Sequence, residues 1–366
     1  MLALRRGVAL LGVALFASAT AGSTRAGETA GSWRVLAPSP LAPRSGHAAV
    51  WTGRELLIWG GDAGEEGYFA DGAAYNPVRD RWRMLAPSPL AGRSRATAAW
   101  TGRELLVWGG DSAGGVRPFA DGAAYDPTRD RWRRLARAPL EPRFGHTAVW
   151  TGRAMIVFGG FTPRCGVTGC ESGEAAAYDP RRNRWRLLEA WEARWEHTAI
   201  WTGRRMIVWG GDGSFDYQRN GASYRPSVDR WQQLPHGPLE GRGGHSAVWT
   251  GTAMIVLGGA SNRRLTVEGA AYNPARRRWT PLPRSPVGFH AGNAAVWTGT
   301  EMLTWGGWTA GAAYSARTRI WRRLPRAPLV TRFEHTAVWT GRELIVWGGE
   351  RCNDRCHRAD GAAYVP

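Results

Sequence analysis

The sequence contains no lysine: every one of its 48 basic residues is arginine. Uniform arginine looks like the codon bias of a GC-rich genome rather than selection for phosphate contacts. The arginines are also scattered instead of forming one basic run, so the formal charge of +18 is no evidence for a nucleic-acid partner. Long apolar runs are missing after the N-terminus, which leaves no segment to cross a bilayer. Cysteine is scarce, with only four, and no dense metal cluster is spelled out. There is no nucleophile elbow and no phosphate-binding loop.

What is abundant is glycine, with 49 residues, and tryptophan, with 22. The N-terminus "MLALRRGVALLGVALFASATA" has a basic start at Arg5 and Arg6, a short apolar run over Gly7 to Ala17, and the small-residue pattern Ala19-Thr20-Ala21, with Ala17-Ser18-Ala19 and Ala26 as alternative cleavage points. This is the pattern of a cleaved secretory signal over residues 1–21, followed by a short linker over 22–31. A secreted or periplasmic address is expected. Removing residues 1–21 leaves a charge of +16.

The rest of the chain is periodic. A Gly-Gly pair recurs at 60, 109, 159, 210, 258, 306 and 348, with spacings of 42 to 51 residues. Periods of that length mark propellers or other repeat arrays. Each unit reads as four short strands: "HTAVW", a Thr-Gly turn, "ELIVWGG", a variable loop, "GAAYDP", a short turn and "WRRLA". The predicted fold is all-β, a seven-bladed propeller of four-stranded antiparallel blades over residues 32–366. Trp51, Trp100, Trp150, Trp201, Trp249, Trp297 and Trp339 end the first strands. Trp33, Trp82, Trp132, Trp185, Trp231, Trp279 and Trp321 open the fourth. Flat side chains of this size suit the widening gaps between radiating sheets. The repeat is out of phase with the termini, starting on the fourth strand "SWRVLA" and ending on the third strand "GAAYVP". The N-terminal strand is therefore expected to complete the last blade and close the ring.

The stretch "GGDSAGGVRPFADGAAYDPTRDRW" (109–132), with Gly-Gly, then a spaced Tyr and Trp, resembles the Kelch repeat, and all seven units follow it in outline. The resemblance implies a propeller like the central domain of galactose oxidase. The competing WD40 propeller is disfavoured because the blades lack its Trp-Asp ending. Fold of this kind leaves function open. The copper oxidase chemistry of that enzyme is not expected, since it needs a Cys cross-linked to Tyr and the cysteines here fall in close pairs. A similarity to sialic-acid epimerases implies an alternative, a sugar-acid isomerase, although those enzymes look six-bladed.

Function is expected on the face carrying the variable loops. At the start of each first strand stands an Arg, at 44, 93, 143, 194, 242 and 332, with His290 in the remaining blade. Three residues later stands a His, at 47, 146, 197, 245 and 335, with Ala96 and Asn293 as exceptions. Arg44, Arg93, Arg143, Arg194, Arg242 and Arg332 could hold a carboxylate or sulfate at the channel mouth. Equally, a feature written seven times can be scaffold. Breaks in the repeat single out Trp191, Trp195 and Trp308 as stacking anchors. Glu192, Glu196, Glu334, Asp62, Asp111, Asp212 and Glu350 place carboxylates on the same face, and Tyr68, Phe69, Phe161, Phe215 and Tyr217 add aromatic area. If the protein is an enzyme, Glu196, Glu334 and His290 are the acid and base candidates. Cys165 with Cys170 and Cys352 with Cys356 are expected to form local disulfides. Zinc held by Cys352, Asp354, Cys356 and His357 is the alternative reading of the second pair. The expectation is a monomeric recognition module, without cofactor or metal, that binds a protein or an acidic glycan.

Overall fold

In the computed structural model, residues 31–366 are described apart from 65–66, 164–169, 214–215, 263–264, 289–291, 308 and 352–355. The predicted leader over 1–21 lies outside the described residues. Seven four-stranded antiparallel sheets are arranged around an axis, and no α-helix occurs among the described residues. Blade 1 runs from the inner strand Ala48–Trp51 through Leu56–Trp59 and Gly72–Asn76 to the outer strand Arg81–Met84. Blades 2 to 6 repeat this order, and neighbouring inner strands face one another around the axis. In blade 7 the strands Thr336–Trp339, Leu344–Trp347 and Gly361–Val365 are completed by the N-terminal strand Ser32–Val35. Its register sets Ser32 opposite Val365 and Trp33 opposite Tyr364, so the ring closes as expected.

Local chemistry makes the turns. In the Thr-Gly turn of blade 1, Thr52 Oγ1 accepts hydrogen bonds from the Arg54 and Glu55 amides, and Gly53 takes a φ of 92° that favours glycine. Between the third and outer strands, Asn76 Oδ1 accepts from the Val78 and Arg79 amides, an Asx turn.

Packing between blades supplies the stability. The second strands are buried along their length, except for Glu301 at the start of the sixth, and each gap between blades holds its own apolar core. Between blades 1 and 2, for example, Val50, Leu57 and Trp59 meet Leu105, Val107 and Tyr125. The tryptophans that end the inner strands are half-buried at the rims of these cores. Outer-strand tryptophans do a second job. Trp82 Nε1 donates to the Ala37 carbonyl of the preceding blade at 2.9 Å, and Trp132 to Ala86 at 2.9 Å. Trp33 donates to Pro325 at 3.0 Å, which locks the closing strand to blade 6.

Candidate functional site

The loops joining second to third strands and outer to inner strands emerge together on one face, where the sequence places function. The repeated arginines on that face are buried and committed to internal partners. Arg44 Nε donates to the Ala42 carbonyl, and its terminal nitrogens reach the Gly60 carbonyl and Asp71, the latter at 2.7 Å. Arg93 pairs with Asp121 at 2.6 Å, Arg143 with Glu174 at 2.6 Å and Arg332 with Asp360 at 2.6 Å. Arg194 meets Glu192 at 3.0 Å, and Arg242 donates to Thr266 Oγ1 and the Gly258 carbonyl. Phe69, Phe119 and Trp191 lie flat under the Arg44, Arg93 and Arg194 guanidiniums at 3.9, 3.8 and 4.1 Å. Burial pulls the Arg194 pKa down to about 10 against the opposing pull of Glu192. These six guanidiniums therefore pin two loops of one blade together. They do not face a ligand in the channel, which corrects the expectation of an arginine-lined mouth.

The histidines are scaffold as well. His146 Nε2 meets Thr97 Oγ1 of the preceding blade at 2.8 Å; His197 meets Thr147 at 2.8 Å and His245 meets Thr198 at 2.7 Å. His47 meets Thr336 at 2.6 Å across the ring closure. Burial lowers the pKa of His47, His146, His245 and His335 to about 3, with the adjacent repeat arginine adding to the shift. The exceptions to the repeat fall into place as pairs. Where blade 2 has Ala96 instead of His, blade 1 has Ala48 instead of Thr. Asn293 accepts from Ser246 Oγ through its carbonyl at 2.6 Å and donates from Nδ2 to Thr304 at 2.9 Å.

Two of the three expected stacking anchors are also packed inward. Trp191 stacks on Trp231 at 5.4 Å and 21°. Trp195 packs against Phe144 and Phe161 at 6.0 and 5.6 Å. The third, Trp308, lies outside the described residues, as do His290 and Phe215. Cys170 and Cys356 lie in short two-stranded ribbons. Cys170 is disulfide-bonded, and the expected partners Cys165 and Cys352 lie outside the described residues. No group of three or more His, Cys, Asp or Glu suited to a metal occurs among the described residues.

What does line the mouth is the residue two positions after each repeat arginine. Gly46, Arg95, Gly145, Glu196, Gly244, Gly292 and Glu334 occupy equivalent positions, all with φ between 50° and 83°. Their backbones join around the axis: the Arg95 amide donates to the Gly46 carbonyl at 2.8 Å, Glu196 to Gly145 at 3.1 Å and Gly244 to Glu196 at 3.2 Å. Four of the seven are glycine, the residue that such a φ favours. Arg95, Glu196 and Glu334 hold it at φ 54°, 52° and 50°, at a cost of about 1 kcal/mol each.

The electrostatics of this ring are acidic. Glu196 and Glu334 are open to solvent yet surrounded by protein, as side chains in a channel are. For Glu334, loss of surrounding water raises the pKa to about 7, with the charges of Glu350 and Asp62 raising it further against the opposing pull of Arg95. Glu196 is raised by the same loss of water and by Asp212. Arg95 is held in a fork by buried Asp111 at 2.8 and 2.6 Å and lies over Phe144 at 4.2 Å. His357 sits between Asp62 and Glu350 at 3.7 and 3.5 Å. Glu196 and Glu334 were legible as departures from the repeat. Arg95 was missed, although "RSRAT" at the place of "RSGHA" carries the signal.

A protein-family model described as the Attractin/LZTR1 beta-propeller matches residues 28–266. No curated protein matches the chain.

Proposed function

Because the chain belongs to the Attractin/LZTR1 beta-propeller family, we propose that it is a protein-recognition module whose channel mouth receives a cationic group of its partner. The observation that carries this reading is the pair of glutamates, Glu196 and Glu334, held where glycine is favoured. Backbone strain at an acidic ring, beside Asp62, Asp212 and Glu350, favours a lysine or arginine side chain entering along the axis. The buried arginines withdraw the basis for an anionic glycan at this mouth.

Titration calorimetry with short arginine-bearing peptides tests the proposal. Binding is expected to weaken at least tenfold in Glu196→Gln/Glu334→Gln and to fall as the pH drops through 7, where Glu334 takes up its proton. Unchanged affinity in the double variant would remove the proposal's support. The raised pKa of Glu334 is also what a general acid needs, and it favours the sugar-acid isomerase as second reading. NMR exchange measurements with free sugar acids separate the two, since a binding module gives no acceleration. We place the protein outside the cytoplasm on the strength of its N-terminal pattern. Mass spectrometry of the exported chain tests this, with cleavage expected after Ala21.

A further inference from the structure

The opposite face, with its short turns, also departs from the repeat. In four blades an Arg of the outer strand pairs with a Glu that follows the Thr-Gly turn. Arg83 meets Glu55 at 2.8 Å, Arg133 meets Glu104 at 2.6 Å, Arg322 meets Glu301 at 2.7 Å and Arg34 meets Glu343 at 2.9 Å. Blade 3 runs through Thr147–Trp150, Met155–Phe158, Ala175–Asp179 and Arg184–Leu188, and it carries Ala154 at the Glu position. Arg186, its outer-strand arginine, turns away to Asp229 of blade 4 at 3.2 Å.

The missing side chain leaves a cavity of about 600 Å³ floored by Ala154, Ile156, Ala177 and Leu188. A second cavity of about 510 Å³ adjoins it, sharing Thr151, Pro226 and Ser227 and reaching Trp201 of blade 4. The combined groove is rimmed by arginine. Arg153, Arg184, Arg204 and Arg225 are exposed there and have no carboxylate partner among the described residues. Asp179 is already paired with Arg182 at 2.9 Å.

We infer that this groove between blades 3 and 4 is a second binding site, and that it takes an extended acidic peptide with aliphatic side chains. The unpaired guanidiniums match carboxylates in forked geometry. The floor of the larger cavity is aliphatic and not a flat aromatic plate, so it suits a leucine or isoleucine side chain better than a sugar ring. The site lies on the face opposite the acidic mouth and does not depend on the function proposed for that mouth.

Fluorescence anisotropy of the full protein with a labelled peptide of alternating glutamate and leucine tests the inference. Ala154→Glu introduces the residue that four other blades carry there, so it is expected to fill the cavity, pair with Arg186 and weaken binding at least tenfold without lowering the melting temperature. Arg184→Glu should weaken binding to a similar extent, and it keeps the test valid if the first variant does not fold. Arg54→Glu, an exposed arginine on the corresponding turn of blade 1, should change affinity less than twofold. Wild-type affinity in Ala154→Glu would overturn the inference. So would an equal loss in Arg54→Glu, which would show diffuse attraction to a basic surface. Equal binding of a leucine-free glutamate peptide, or binding of a sulfated oligosaccharide in place of the peptide, would refute the ligand class.

Discussion

His335 is the one ring histidine whose Nε2 meets no side-chain hydroxyl. Its counterparts reach a threonine hydroxyl in the preceding blade, but blade 6 offers Ala294 there. Ala294→Thr should supply the missing partner at the 2.6–2.8 Å separation seen at the other four contacts. One net hydrogen bond contributes about 1 kcal/mol, and relieving a buried unpaired nitrogen adds up to about 1 more. For a domain this size, with roughly 2 cal/mol/K of unfolding entropy per residue, that corresponds to a rise of about 1.5–3 °C in melting temperature. Threonine also favours strands over alanine, so two controls are needed. Ala294→Val keeps the shape without the hydroxyl. Ala48→Thr adds a hydroxyl opposite Ala96, where no imidazole waits. Calorimetry and urea denaturation should show a gain for Ala294→Thr beyond both controls. If valine gives the same gain, or Ala48→Thr matches it, the hydroxyl–imidazole contact is not what ties the inner strands together.

The histidine ring should also make the protein acid-labile. A pKa near 3 in the folded state against about 6.5 unfolded means that the unfolded chain takes up protons which the folded one refuses. Stability is then full above pH 6.5 and lost as the pH falls toward 3, at about 1.4 kcal/mol per pH unit for each histidine; Glu334, raised to about 7, works in the opposite direction, with an effect that solvent screening of its exposed side chain weakens. A urea midpoint that stays constant from pH 7 to 5 would contradict this. Arg332→Ala should destabilise by about 3 kcal/mol or more, because it leaves buried carbonyls and Asp360 without their donor, and Arg332→Lys should rescue little of that loss since a point charge cannot replace the fork. A loss below about 1 kcal/mol on urea denaturation would mean that the arginine is not structural. Glu334→Gly should hold or raise the melting temperature, because glycine suits φ 50°, while weakening binding of arginine peptides; a lower melting temperature would refute strain at that position.

The strand pattern, blade number and ring closure could be read from the chain because each blade repeats the same physical problem. Flat aromatic residues must fill a wedge, glycine must turn the Gly-Gly corner, and the phase of the repeat dictates that Trp33 pairs beside Tyr364. Even the scaffold role of the histidines has a trace in sequence, since Ala96 and Ala48 are absent partners of one another. The arginines were harder. Their partners Asp71, Asp121 and Asp360 lie 27 or 28 residues downstream, across the most variable loops, and no local rule shows whether a guanidinium points outward or inward.

Sequence alone thus determined the seven blades and their closure, which follow from periodic, short-range chemistry. Only the tertiary structure decided the sign of the charge at the two candidate surfaces. A basic chain of +18 buries its repeated arginines against internal partners, five of them in ion pairs, and the curvature of the ring gathers Glu196, Glu334, Asp62 and Glu350 from blades far apart in sequence at one mouth. The same assembly leaves Ala154 beneath an arginine rim on the other face. Charge is additive along a chain, whereas its effect depends on which side chains the fold brings within a few ångströms of one another.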